Sequence, residues 1–355
     1  MPGEAAAIGY LVSTMGTAGR CDMLGIMRAM IIDRFGGPEE LRLADVQRPE
    51  PGAGEVLVRI AFAGVNPADW KIREGWLKDF VPFRLPHILG FDGAGVVAAL
   101  GKGVDGLRIG DRVVTASNQG KGAWGTYAEY AVSDLDRVVP LADSIDFRAA
   151  AALPTAGITS WEALFNVGGL RAGQQVLVNG GAGGMGSWCV QLAKMAGAAV
   201  AATCGPANVE YVRSLGADLP IDYRAQDVAA VVRRWAPEGV DLIVDTVGQG
   251  TLLQSVELVK PGGILACIGT LIAGEPQPDA ARAGARGVCM MPTMSSFERQ
   301  GAQLRALVEA LQAGRIRAPA IEVLPLAAAA DAQRRIQAGH VRGKIVLDVA
   351  GAASA

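Results

Sequence analysis

The 355-residue chain is poor in the residues that most often hold metals and disulfides: two histidines, at 87 and 340, and five cysteines, at 21, 189, 204, 267 and 289. An odd, widely spaced set of thiols is no disulfide framework, and it fits a reducing cytoplasm. Zinc needs three or four convergent nitrogen, sulfur or carboxylate ligands, and two imidazoles with scattered cysteines offer no such cluster. An excess of one charge is also missing, with 33 Lys and Arg against 35 Asp and Glu, a net charge of −2 and no basic run. That excludes the electrostatic footprint of a nucleic-acid binder. Hydrophobic residues make up 50% of the chain, yet no run reaches the roughly 18 uncharged apolar residues of a membrane-spanning helix. A small molecule is the expected partner.

What is present has two textures. At this length two domains are expected, because single cores usually stop growing near roughly 250 residues. Residues 1–25 carry no regular period, and the apolar stretch 5–12 is too short for a signal peptide. Residues 1–26 are therefore expected to be a disordered extension, and MRAMIIDRFG from Met27 reads as the first strand. From there to about 140, short alternating segments at 30–33, 55–63, 94–100, 112–115 and 127–132, punctuated by Gly and Pro, suggest a small, mostly antiparallel barrel. After helical text at 158–166, apolar strands at 176–178, 200–203, 242–247 and 264–268 alternate with helices, the pattern of βαβ units around a buried parallel sheet. The last stretch has a helix at 303–313, a strand at 321–326, a helix through Arg335 and a strand at 345–349, and reads as returning to the first domain. The expected division is 27–150 with 291–355 for one domain and 151–290 for an inserted dinucleotide-binding unit.

Gly181, Gly183 and Gly186 form G-x-G-x-x-G directly after the strand 176–178. The helix that follows keeps Met185, Trp188, Cys189, Leu192, Ala193 and Ala196 at i, i+3, i+4 spacing. Glycines let the backbone approach a pyrophosphate, and the helix N-terminus favours the anion. An Asp or Glu about 20 residues further on would accept the ribose 2′-hydroxyl of NAD. The tip there reads Thr203, Cys204, Gly205, Pro206, Ala207, Asn208. With no carboxylate the expectation tilts toward NADP(H), whose phosphate would want a cation; Arg213 and Arg224 are the nearest in sequence.

Eight ordered motifs, GVNPADWKIREG (64–75), ILGFDGAGVV (88–97), IGDRVV (109–114), GTYAEY (125–130), LPTAGITSWEAL (153–164), GGAGGMG, LGADLPIDY (215–223) and GHVRGKIVL (339–347), carry a resemblance. The chain resembles the medium-chain dehydrogenase/reductase superfamily, in its zinc-free quinone oxidoreductase and enone (alkenal) reductase branch. The resemblance implies an α/β chain in which a Rossmann-type doubly wound parallel sheet is inserted in a mostly β GroES-like barrel domain. Zinc-dependent members place a Cys where this chain has Asn66 and a Gly-His-Glu where it has Gly90, Phe91 and Asp92. The four-cysteine structural zinc lobe is missing as well. Without a metal, hydride is expected to go to an activated acceptor, a quinone or an α,β-unsaturated carbonyl, which disperses the incoming charge so that one or two hydrogen bonds suffice. The cofactor supplies the hydride.

The resemblance also implies residue roles. Where the branch often has a Tyr in 69–71, this chain has Trp70 and Lys71. Lys71 is the candidate for polarising the substrate oxygen, and Trp70 walls the substrate pocket or packs the core. Asn66 would hydrogen-bond ribose or substrate, or cap the turn ahead of Pro67. Cofactor contacts are expected from Thr159 near the nicotinamide, Gly184 and Met185 at the pyrophosphate, and Gly205, Asn208 and Tyr223 around the adenosine phosphate. Val247 and Ile268 should edge the crevice, and Lys344 should reach the cofactor from the returning segment. The expected activity is an NADPH-dependent, zinc-independent reduction by a cytoplasmic homodimer. Rival readings are a nucleotide-binding protein without turnover, of crystallin-like or vesicle-protein-like kind, and a reductase acting in trans on enoyl thioesters.

Overall fold

The computed structural model describes residues 25–248, 251–268 and 279–351, so the expected extension lies, up to residue 24, outside the described residues. The chain opens with β1 (Ile26–Ile32), β2 (Arg42–Gln47) and β3 (Glu55–Gly64), followed by a short helix α1 (Pro67–Arg73). Then come β4 (His87–Ile88), β5 (Asp92–Leu100), β6 (Arg112–Ala116), β7 (Tyr130–Asp134) and β8 (Val138–Pro140). Strand β1 pairs antiparallel with β2 and β4, while β3, β5, β6 and β8 run antiparallel in a larger sheet that β7 joins through β3. The backbone N–H of Met30 donates to the Tyr127 carbonyl oxygen at 2.8 Å and ties the two sheets together.

Helices α2 (Phe147–Ala151) and α3 (Pro154–Trp161) lead out of this domain. The helix expected over 158–166 starts earlier, because Pro154 fits a first helical turn where no N–H is needed. It ends in a π-helical turn, Glu162–Val167. The inserted unit alternates β9 (Gln175–Asn179), α4 (Gly184–Met195), β10 (Ala199–Cys204), α5 (Val209–Ser214), β11 (Leu219–Asp222), α6 (Val228–Trp235), β12 (Val240–Asp245), α7 (Thr251–Ser255), β13 (Val259–Cys267), α8 (Ala280–Ala285) and β14 (Cys289–Pro292). Its six strands are parallel in the order β11-β10-β9-β12-β13-β14. The order reverses between β9 and β12, and ligands of such sheets bind outside the carboxyl ends of the strands at that point. Covered on both faces, the central strands are continuous apolar runs, such as fully buried Val176, Leu177 and Val178.

After α9 (Gln300–Gln312) the chain returns through β15 (Ile321–Pro325), α10 (Ala329–Ala338) and β16 (Lys344–Asp348). Strand β16 pairs antiparallel with β3 and parallel with β15, which completes the seven-stranded sheet. The first domain is thus built from both ends of the described chain. Strand β14 straddles the boundary expected at 290. The core ignores the junction: one apolar cluster includes Phe62, Ala94, Val346, Leu304, Val178 and the fully buried Trp188. Among the described residues no helix is long and apolar enough to cross a membrane.

Candidate active site

Strand β9 ends at Asn179, and the chain turns through four residues into α4. A Cβ on Gly180, whose φ is +79°, would lie 2.7 Å from Thr246 Oγ1. One on Gly181 would lie 2.8 Å from the Ala202 Cβ, and one on Gly186 would collide with the Gly180 carbonyl oxygen. The turn itself therefore requires these three glycines. Gly183 differs. Its φ of −76° and ψ of 178° suit any residue, and its Cβ would meet nothing nearer than the Gly180 oxygen at 3.5 Å. The open space lies at the N-terminus of α4, beside Gly184 and Met185, where first-turn N–H groups lack helical partners and the dipole favours an anion. A pyrophosphate fits this cradle.

Asp245, fully buried at the end of β12, holds the neighbouring loop: its carboxylate accepts from Asn179 Nδ2 at 2.8 Å and from the N–H groups of Val247 and Gly248 at 3.0 Å each. Val247 is exposed beside the turn, and Ile268, half-buried past the end of β13, donates its N–H to the Asp245 carbonyl oxygen at 3.0 Å. Both stand just past the carboxyl ends of β12 and β13. Thr203 is occupied by the turn, its hydroxyl oxygen accepting from the Gly180 N–H at 3.0 Å. Beyond it, a Cβ on Gly205 would lie 3.8 Å from the Tyr223 hydroxyl, so these two share one corner with Asn208. Of the two arginines nearest in sequence, Arg213 pairs with Glu210, and Arg224 lies 5.9 Å from the Tyr223 ring centroid. Arg342 reaches the tip instead.

The opposite wall is a buried polar notch. Asn66, at the start of α1, donates from Nδ2 to Asp92 Oδ2 at 2.8 Å, and its Oδ1 accepts from Lys344 Nζ at 2.5 Å. Lys344 also donates to the Val65 carbonyl oxygen at 3.0 Å and stands 3.6 Å from Asp92 Oδ2. Asp92 Oδ1 accepts from the Thr155 N–H and hydroxyl at 2.9 and 2.5 Å. The stem of Lys344 runs past the glycine turn, since a Cβ on Gly184 would lie 2.9 Å from its Cδ. Cradle and notch are therefore one side chain apart. Burial pulls the Lys344 ammonium below its usual range against the opposing pull of Asp92 and Asp69.

Behind Asn66 lies Asp69. It accepts from the Asn66 N–H at 2.8 Å and the Tyr127 hydroxyl at 2.9 Å. Complete burial, joined by the nearby Asp92 carboxylate, pushes its carboxyl up to about 7. Among the described residues no group of three or more His, Cys, Asp and Glu gathers as a metal site. The thiols of Cys189, Cys204 and Cys267 are free and buried, and that of Cys289 is free and exposed.

Of the remaining candidates, Thr159 donates its hydroxyl to the Thr155 carbonyl oxygen at 2.7 Å, one turn along α3 from the Asp92 contact. Trp70 packs edge-on against Trp76 with ring centroids 5.2 Å apart, and the Lys71 ammonium lies 5.7 Å from both rings. The structure thus joins Asn66 to Lys344, and Gly181, Gly183, Gly184, Met185 and Gly186 to one cradle; Trp70 and Lys71 form a separate aromatic group. Sequence reading missed Asp69, Asp92, Tyr127, Thr155, Asp245 and Arg342 as site residues. Only Asp69 left a local signal: an acidic residue at the third helical position after Asn66 and Pro67, where a carboxylate can reach back to the cap N–H.

Residues 52–143 match the family described as alcohol dehydrogenase GroES-like domain, and residues 215–347 match that described as zinc-binding dehydrogenase. The chain is 33% identical over 336 residues to the chloroplast envelope quinone oxidoreductase homolog of Arabidopsis thaliana, covering 91% of this chain and 98% of the relative. It is 37% identical over 244 residues to the 2-methylene-furan-3-one reductase of Solanum lycopersicum, covering 67% of this chain and 61% of that protein. A solved mycobacterial structure complexed with NADPH superimposes with a TM-score of 0.79 at 32% identity, covering 90% of this chain and 99% of the other.

Proposed function

Since this chain belongs to the medium-chain dehydrogenase/reductase superfamily, in its quinone oxidoreductase branch, we propose that it is a zinc-independent, NADPH-dependent reductase of a quinone or of the activated double bond of an α,β-unsaturated carbonyl. The observation that carries this reading is the notch. Where zinc-dependent members gather metal ligands, the chain supplies its own cation, Lys344, held by Asn66 and Val65 beside Asp92. An ammonium has no vacant site to coordinate a carbonyl, and with its donors already engaged it has little hydrogen bonding left for the localised alkoxide that reducing an isolated carbonyl would form. Acceptors that spread the incoming electron pair over a conjugated system need only modest hydrogen bonding. Bound NADPH supplies the hydride.

The residues then divide the work. Gly183 leaves room for the pyrophosphate, the first turn of α4 binds it, and Val247 and Ile268 edge the crevice. The missing carboxylate at 203–208 removes the group that would accept a ribose 2′-hydroxyl and repel a 2′-phosphate, which supports NADPH, as does the similarity to a protein solved with NADPH. In an enone, hydride forms a new C–H bond at the β-carbon and the π electrons move onto the carbonyl oxygen. The enolate electrons then return to the α-carbon, which takes a proton from solvent, or from Lys71 relayed through solvent because its ammonium stands apart from the notch beside the Trp70 and Trp76 rings, to complete the saturated ketone.

The test is NADPH oxidation by the purified chain with a panel of enones, quinones and saturated ketones, and NADP+ reduction with plain alcohols, each before and after chelation. Turnover should appear with enones or quinones and survive chelation, and Lys71→Ala should slow it with little change in NADPH affinity. Metal-dependent oxidation of plain alcohols would overturn the reading.

A further inference from the structure

The tip of β10 carries no cation of its own, since Gly205, Pro206, Ala207 and Asn208 are all uncharged. On the neighbouring elements, Arg213 is paired with Glu210 and Arg224 leans toward the ring of Tyr223. A cation nevertheless stands at the tip, brought from the other domain. Arg342, two residues before β16 begins, donates from Nε to Asn208 Oδ1 at 2.5 Å and from Nη2 to the Ala207 carbonyl oxygen at 2.6 Å. Its guanidinium carbon lies 5.5 Å from the Tyr211 ring centroid. Both acceptors are neutral, the side chain is exposed, and among the described residues no carboxylate pairs with it.

We propose that Arg342 is the residue by which this chain recognises the 2′-phosphate of its dinucleotide, resting on the NADPH reading above. A planar guanidinium with its charge not neutralised, held over the tip by two oxygens, is placed to exchange them for phosphate oxygens. Such charge-assisted, forked contacts are among the strongest a protein makes. The Tyr223 hydroxyl faces Gly205 in the same corner, and none of residues 205–207 brings a carboxylate that would repel a phosphate.

The position of Arg342 in the chain gives recognition a further consequence. Gly343 donates its N–H to the Ala182 carbonyl oxygen at 2.8 Å, inside the glycine turn, and Lys344 enters the notch beside Asn66. Three consecutive residues thus reach the ribose end, the pyrophosphate cradle and the catalytic wall. Selection of the phosphate is done by the returning segment of the first domain, across the junction from the strand tip that usually decides it.

The experiment measures dissociation constants for NADPH, NADH, 2′,5′-ADP and 5′-AMP by calorimetry, using wild type, Arg342→Ala, Arg342→Lys and Arg224→Ala. Arg342→Ala should weaken NADPH and 2′,5′-ADP about tenfold or more, the scale of a lost charged hydrogen bond. It should leave NADH and 5′-AMP within about twofold, as expected when only the phosphate contact is lost. Arg342→Lys should recover part of the loss, and Arg224→Ala should bind like wild type. If wild type prefers NADPH and Arg342→Ala keeps that preference, or if the variant loses NADH equally, the assignment of Arg342 is wrong while the NADPH reading stands. If wild type binds 2′,5′-ADP no better than 5′-AMP, the NADPH reading itself falls, and this assignment with it.

Discussion

Asp69 is where the chemistry of single residues is most exposed to measurement. Its carboxyl sits behind Asn66, hydrogen-bonded by Tyr127 and the Asn66 N–H, faced by Gln119 and with Asp92 and Lys344 across the notch. An ordinary carboxyl in the unfolded chain loses its proton near pH 4, whereas burial delays that loss to about 7 in the fold. Between these values the folded state holds a proton that the unfolded state has released, so stability falls as pH rises through the window and levels off above it. His87 acts in the opposite sense over nearly the same range: burial brings its imidazole down to about 4, so its contribution grows with pH up to the ordinary histidine range and offsets part of the Asp69 effect. Asp69→Asn isolates the first effect. Unfolding free energies from denaturant titrations at pH 5 to 8 should decline for wild type relative to the variant by an amount on the order of 2–4 kcal/mol at most. Parallel curves would show that Asp69 ionises normally.

At the scale of elements, the turn from β9 into α4 makes a separable prediction. Gly183→Val suits the extended backbone there and places its Cβ in the protein without conflict, since a Cβ would touch nothing closer than 3.5 Å. The variant should unfold within about 1 kcal/mol of wild type, as surface substitutions usually do, yet lose NADPH affinity by at least about 100-fold, because the branched side chain fills the phosphate space. Unchanged affinity in the folded variant would place the dinucleotide elsewhere.

The same contrast explains what could be read in advance. The strands β9, β10, β12 and β13 announced themselves because a parallel sheet buried on both faces writes continuous apolar runs. Strands β11 and β14 did not; each is four residues, contains a proline and lies at a sheet edge, where the apolar signal is weakest. The π-helical turn at Glu162–Val167 follows a helical period too closely to be distinguished locally.

Over the whole molecule, the readable part of the site was its contiguous part. Six residues from Gly181 to Gly186 carry the cradle in their spacing alone. The notch could not be read that way, because Lys344 and Asn66 are 278 positions apart and meet only when β16 returns to pair with β3. Arg342 and Asn208, separated by 134 positions, were hidden for the same reason. Sequence reading sought the phosphate cation near β10, and the fold brings one from the far end of the chain.

On the proposed function, the notch occupied by the Lys344 ammonium leaves the carbonyl carbon of the acceptor alone, and hydride goes to its conjugated carbon. Single-turnover transfer from NADPH deuterated at the nicotinamide C4 to an α,β-unsaturated ketone, with the product located by NMR, tests it directly. The expected product is a saturated ketone carrying deuterium on its β-carbon. An allylic alcohol with deuterium on the former carbonyl carbon would contradict it.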